Sequence, residues 1–258
     1  MDCVEGMKQL DDNSIDLVVT SPPYDGIRDY KGFSLDLHNV GIQISRILKD
    51  GGMCVMVIQD QTKDGRKSLT SFKTIVDWCE NTELDLWECC IYERGGTPGN
   101  WWSKRFRVDH EYMPIFIKGK RPQYFNKEHM MIDNPNKGKS GGSIRNTKGE
   151  LIEITGASPS KKCCGTVIKY ASASREGNGL VSNISHKEKL QHPATFPDKL
   201  ANDFIKCFTT ENMNVLDPFM GSGTTATMAK INKRNYIGFE LDSTYCDLAN
   251  ERILEINT

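Results

Sequence analysis

Val215-Leu216-Asp217 reads as the end of a short apolar strand, and it runs through Pro218-Phe219-Met220-Gly221-Ser222-Gly223 into a helix whose first turn carries Thr224-Thr225-Ala226. A G-x-G-x-x-A turn between a strand and a helix belongs to an open α/β sheet: the glycines let the backbone turn tightly and approach a ligand, and the small Ala226 lets helix and strand pack closely. The helix N-terminus then offers free N–H groups to an anion. The next strand, Tyr236 to Phe239, ends in Glu240, which stands 23 residues past Asp217, where an acidic side chain accepts hydrogen bonds from ribose hydroxyls. No G-K-[ST] closes the turn, which argues against a nucleoside triphosphate. The glycine turn and Glu240 imply a nucleoside cofactor without separating NAD from S-adenosylmethionine, and an ordinary glycine-rich turn in any α/β protein would look similar.

The rest of the chain fits an α/β reading. Ile15 to Thr20 and Met53 to Ile58 are short apolar runs, expected to be buried parallel strands, and Leu37, Val40, Gly41, Ile44, Ile47 and Leu48 recur at helical spacing between them, in a helix expected to end near Gly51-Gly52. A helix from about Ser71 to Trp78 and strands at Trp87 to Tyr92 and Tyr112 to Ile117 follow. From Gly119 to Lys189 the periodicity fades into Lys, Gly, Asn and Ser, predicting long loops. Regular structure resumes with a helix from Lys199 to Phe208, a strand at Asn214 to Leu216, the helix from Thr224, the strand at Tyr236 and a last helix from Thr244.

Net charge is only −1, but it is unevenly spread: residues 99 to 190 hold 17 Lys and Arg against 8 Asp and Glu. A basic middle segment suits phosphate contact, and a solvated basic loop would look the same. No apolar window approaches the roughly 18 residues that span a bilayer, and no basic-then-apolar leader opens the chain, so a cytoplasmic protein with no membrane contact is expected. The nine cysteines include Cys89-Cys90 and Cys163-Cys164 but no zinc-ligand spacing. They read as reduced thiols with no metal site, with Cys54, Cys79 and Cys207 as small buried hydrophobes.

Thr20-Ser21-Pro22-Pro23-Tyr24 follows the first apolar strand, which places it at the strand's C-terminal end, where ligands gather in parallel sheets. An exocyclic base amine is a poor nucleophile because its lone pair is delocalised into the ring. The Ser21 hydroxyl and the Pro22 carbonyl could accept its N–H groups, and successive prolines hold that carbonyl pre-aimed. Tyr24 offers a flat face to a base extruded from a duplex. Pro23 stands where ring-carbon methylation would need a thiol. In a loop-rich chain the same residues would be a simple polyproline turn; their place after a core strand argues otherwise.

Together these motifs resemble the permuted β-group DNA amino-methyltransferases, which use S-adenosylmethionine to modify cytosine N4 or adenine N6. In that family a D/N/S-P-P-Y motif comes first and D-P-F-x-G-S-G-T-T comes last, and Ser21 to Tyr24 and Asp217 to Thr225 match both in that order. The resemblance implies a Rossmann-like fold with permuted motif order. It divides into a catalytic half (1–119), an inserted target-recognition region (120–190) and a cofactor-binding half (191–258).

The family pattern implies cofactor contacts at Asp217, Pro218, Phe219, Gly221, Ser222, Gly223, Thr224, Thr225, Glu240 and Leu241. His192-Pro193 resembles its H-P-x-x-x-P motif, which encloses the methionine part of the cofactor. Asp2-Cys3 resembles a G-D-C motif whose Asp receives the cofactor's adenine amine, although a strand normally precedes it and here only Met1 does. His110-Glu111 resembles an H-E-x motif lining the target pocket, and Lys104, Arg105 and Arg107 beside Trp101 are candidates for DNA contact. Ser before Pro-Pro-Tyr resembles the cytosine-N4 members more than the adenine-N6 members. The implied partners are double-stranded DNA, a second copy in a homodimer and a cognate restriction endonuclease, in a prokaryotic or phage-infected cell. A catalytically idle nucleoside-binding module that interacts with DNA is the alternative from another class.

Overall fold

A computed structural model describes residues 1–23, 35–94, 106, 108–154, 156–170 and 197–256. The chain divides into one compact unit of Met1–Phe125 with Thr166–Thr258 and a second of Asn126–Gly165.

The first unit is built on a seven-stranded sheet. Its strands are β1 (Ile15–Thr20), β2 (Leu48–Met56), β5 (Leu84–Arg94), β6 (His110–Lys118), β11 (Val167–Tyr170), β12 (Asn214–Asp217) and β13 (Asn235–Gly238), in the order β11-β5-β6-β2-β1-β12-β13. A small hairpin of β3 (Thr62–Lys63) and β4 (Arg66–Lys67) lies outside it. The pairs β2–β1, β1–β12, β12–β13 and β11–β5 are parallel, and β6 runs antiparallel to both β2 and β5.

Every residue of β1 is buried, as expected of a strand covered on both faces. The helices are α1 (Cys3–Met7), α2 (Leu37–Ile47), α3 (Thr70–Asn81), α4 (Asp198–Phe208), α5 (Thr224–Ile231) and α6 (Ser243–Leu254). On α2 the buried positions Val40, Gly41, Ile44 and Ile47 form one stripe, and Asp36 caps its start by accepting from the Asn39 amide. Gly41 lets α3 come close: a Cβ there would stand 2.4 Å from Nε1 of Trp78. Trp78, fully buried, donates that N–H to the Leu37 carbonyl at 2.8 Å and tilts against Phe116 of the sheet. Emptying such a site typically costs about 4 kcal/mol.

Two sequence expectations are corrected. β2 begins at Leu48, directly after α2, rather than at Met53, and takes in the glycine pair as an irregularity between the Ile15–Leu48 and Leu17–Met53 pairings. Glycine at 51 meets a positive φ of 74° there. Nor is 119–189 only loop. In the second unit β7 (Met131–Asp133) pairs with β10 (Lys161–Cys163), and β8 (Ser143–Arg145) with β9 (Leu151–Glu153), both antiparallel. Three-residue strands with nearly every side chain exposed leave no alternation to read.

At the N-terminal edge of the parallel strands Asp16, 2% exposed, accepts from Lys49 Nζ, Gln123 Nε2 and the Asn214 amide at 2.7, 2.9 and 2.7 Å. That end is stitched shut. The chemistry-bearing residues gather at the other.

Candidate active site

β1, β2, β12 and β13 all end at one edge of the sheet. Because β6 runs the opposite way, its first residues, His110 and Glu111, arrive at that same edge. The motif residues at 21–23, 110–111 and 217–223 are thus assembled by strand direction, from segments up to about two hundred residues apart.

The end of β1 is held from both sides. The Thr20 carbonyl accepts from the Val57 amide at 2.8 Å, and its hydroxyl donates to Asp217 Oδ1 at 2.6 Å. Ser21, half-buried, and Pro22, buried, follow immediately.

On the neighbouring strand Asp217 also accepts from the Phe219 amide at 3.0 Å, which starts the glycine turn. Gly223 has φ of 81°, and a Cβ there would lie 2.9 Å from Cβ of Ala249, so glycine is required both for conformation and for the approach of α6. Among the described residues no side chain caps the start of α5, which leaves its first amides to a ligand. Arg252, which nothing in the sequence singled out, braces the turn from behind: its Nη1 donates to the Ser222 carbonyl at 2.5 Å and to the Ser222 hydroxyl at 3.0 Å. Both the carbonyl and the hydroxyl of Ser222 are thereby held against Arg252.

Glu240 is pre-oriented by three amides. Its Oε2 accepts from Gly221 at 2.9 Å, and Oε1 from Leu241 at 2.8 Å and Asp242 at 2.9 Å. The carboxylate is tied to the glycine turn and keeps acceptor capacity, since two carboxylate oxygens offer about four lone-pair sites. Asp2 is exposed and caps α1, accepting from the Val4 and Glu5 amides through Oδ1. Beside it, the Met1 ammonium donates to the Glu240 carbonyl at 2.6 Å, so the N-terminus reaches the cofactor-side edge.

On the far side of the edge, Glu111 is buried and paired with Arg94 at 3.0 Å, while His110 is part-exposed, 3.5 Å from Asp109 and edge-on to Tyr112. Tyr24, Trp101, Lys104, Arg105, Arg107, His192 and Pro193 lie outside the described residues. Among the described residues no group of three or more His, Cys, Asp or Glu is arranged to hold a metal, and no helix is long and apolar enough to cross a membrane. Cys54 and Cys207 are buried free thiols, and Cys79 is half-buried.

A family model described as DNA methylase matches residues 15–251. The chain belongs to the DNA methylase family. The methylase is 36% identical over 251 residues to the orphan methyltransferase M.BamHII of Bacillus amyloliquefaciens, covering 95% of this chain and 91% of the relative. Its fold matches that of the PvuII DNA methyltransferase (cytosine-N4-specific), with a TM-score of 0.72, 21% identity and coverage of 100% of this chain and 86% of that one. It also matches M1.HpyAVI solved as a complex with S-adenosylmethionine, with a TM-score of 0.61, 22% identity and coverage of 98% and 96%. The methylase thus has the Rossmann-like methyltransferase fold, with the Ser21 motif preceding the glycine turn along the chain.

Proposed function

We propose that this methylase moves a methyl group from S-adenosylmethionine to the exocyclic amine of a base extruded from double-stranded DNA, and that the base is cytosine, methylated at N4. The observation that carries the reading is the adjacency of two strand ends: Ser21-Pro22 and Pro218-Phe219 both leave the Thr20–Asp217 hydrogen bond at the same edge of the sheet. The donor set fits the cofactor. Glu240 offers carboxylate oxygens to ribose hydroxyls, the uncapped amides of α5 suit the methionine carboxylate, and Asp2 stands near Glu240 to meet an adenine amine. His192-Pro193 and Leu241 complete the assignment by resemblance.

When bound, S-adenosylmethionine supplies an electrophilic methyl group. The chain's own residues hold the nucleophile: the Ser21 hydroxyl and the Pro22 carbonyl accept the amine N–H groups and localise the nitrogen lone pair, while Tyr24 stacks on the base. Pro23 places no thiol in the turn, so direct transfer without a covalent enzyme intermediate is the mechanism. His110 and Glu111 are assigned to the wall of the base pocket. Trp101, Lys104, Arg105 and Arg107 are assigned to the DNA backbone, and residues 120–190, which include the compact unit 126–165, to target recognition. A homodimer and a cognate restriction endonuclease are the protein partners that accompany this reading. Serine in place of aspartate before Pro-Pro-Tyr supports cytosine.

The reading is tested by incubating the chain and its Ser21→Ala variant with duplex DNA and methyl-labelled S-adenosylmethionine. Label enters DNA with the native chain, and the variant loses on the order of 10²-fold or more in rate while still binding the cofactor. Equal transfer by both would overturn the role of the motif.

A further inference from the structure

Asp217 sits among the expected cofactor contacts, yet its side chain is in a residue only 1% exposed and is turned into the protein. Its carboxylate accepts from Thr20 Oγ1 on β1 at 2.6 Å and from the Phe219 amide of the glycine turn at 3.0 Å. Thr225, in the first turn of α5, adds a second link to the same strand, its hydroxyl donating to the Val19 carbonyl at 3.0 Å. Thr20 immediately precedes Ser21; Phe219 and Thr225 bracket Gly221-Ser222-Gly223. One buried side chain thus joins segments 197 residues apart, each of which carries one half of the proposed reaction.

We propose that Thr20, Asp217 and Thr225 form a positioning joint that fixes the amine-holding turn relative to the cofactor turn, so that the joint sets the rate of methyl transfer rather than the affinity for either ligand. This rests on the methyl-transfer reading above. In-line attack needs the reacting atoms about 3 Å apart and aligned, and a displacement of about 1 Å costs on the order of 10²-fold in rate. The joint is a natural place to hold such a tolerance: it is buried, short, and centred on charge-assisted bonds to Asp217, which are stronger than neutral ones.

The joint carries its own reporter. Burial pushes Asp217 up to about 6, while the bonds from Thr20 and Phe219, with the Thr225 hydroxyl nearby, pull it down. The other titratable groups that bear on it are Glu240 beyond β13, Cys54 on β2 and Cys3 on α1. Burial keeps both thiols neutral, Cys3 at about 12 and Cys54 well above the ordinary range, so among the described residues Glu240 supplies the neighbouring charge. Removing the Thr20 hydroxyl takes away a bond to the ionised form, so Asp217 then ionises at a higher pH than in the native chain.

The experiment compares the full chain with Thr20→Val, Thr20→Ser and Asp217→Asn, measuring kcat against pH with DNA, the dissociation constant for S-adenosylmethionine, and the Asp217 carboxyl titration by carbon NMR. Thr20→Val is expected to lose about 10- to 100-fold in kcat above pH 7, to bind S-adenosylmethionine within about twofold of the native chain, and to show both the acid limb of kcat and the Asp217 titration at higher pH. Thr20→Ser restores the native profile, and Asp217→Asn loses the acid limb. Native kcat and an unmoved titration in Thr20→Val overturn the joint, as does a loss confined to cofactor affinity. Should Thr20→Val fail to fold, a Thr20→Ser profile unlike the native one would overturn it equally. A native chain that transfers no methyl group to DNA is the distinct failure of the functional reading, and the NMR titration still decides whether Thr20 controls Asp217.

Discussion

Nη1 of Arg94 lies 3.0 Å from Oε1 of Glu111, joining the end of β5 to the start of β6, with the carboxylate side chain 8% exposed and the guanidinium 25%. Taking one partner from an enclosed ion pair costs more than the pair contributes, because the charge left behind is poorly solvated. Arg94→Met should therefore destabilise the chain by about 3 kcal/mol, and the double variant Arg94→Met, Glu111→Gln by clearly less. Urea denaturation of the native chain and these variants measures it. Equal losses would show that the guanidinium contributes packing rather than charge.

Gly223 makes a second prediction. Alanine there must adopt a left-handed backbone at a cost of about 1–2 kcal/mol and must push Ala249 and α6 away. A lowered melting temperature is expected together with weakened S-adenosylmethionine binding, because the same turn exposes the amides of α5. Calorimetry on Gly223→Ala, with native affinity as the contrary result, checks this.

Glu240 holds three amides as well as the proposed ribose contact. Glu240→Gln keeps the shape, but one end of its side chain becomes a donor facing donors. Cofactor affinity should fall by roughly 10- to 100-fold, equivalent to losing a charge-assisted hydrogen bond, with little change in DNA binding. Titration calorimetry for the cofactor and gel shift for DNA separate the two effects.

The raised Asp217 carboxyl also shapes stability. It ionises at about 6 in the folded chain against a usual 3.8. Between those values the folded state keeps a proton that the unfolded state has released, so the contribution of Asp217 to stability falls as pH rises through that window and is level above it. The span is on the order of 3 kcal/mol. Unfolding free energies of the native chain minus those of Asp217→Asn should decline from about pH 4 to about pH 6. A flat difference would mean that the carboxyl titrates at its ordinary value.

Much of this was legible in the sequence because the carriers were local. The glycine turn, the run Ile15–Thr20 and the helical stripe on α2 each encode their form within a dozen residues. What escaped depends on distant partners. Arg252 looks like any charged residue of a terminal helix until α6 packs behind Ser222, and Arg94 means nothing until β5 and β6 pair. Thr20 looks like no more than the residue before a motif, and its bond to Asp217 exists because β1 and β12 become neighbours across most of the chain. The short strands between Met131 and Cys163 escaped for another reason: strands with nearly all side chains exposed have no buried face to impose a pattern.

The identity of the base rests on Ser21, and one measurement tests it together with the chemistry. Duplex DNA treated with the chain and S-adenosylmethionine is digested to nucleosides and analysed by mass spectrometry. N4-methylcytosine is the product this account predicts. N6-methyladenine would refute the choice of base while keeping amine chemistry, and 5-methylcytosine or unmodified DNA would contradict the account at its centre.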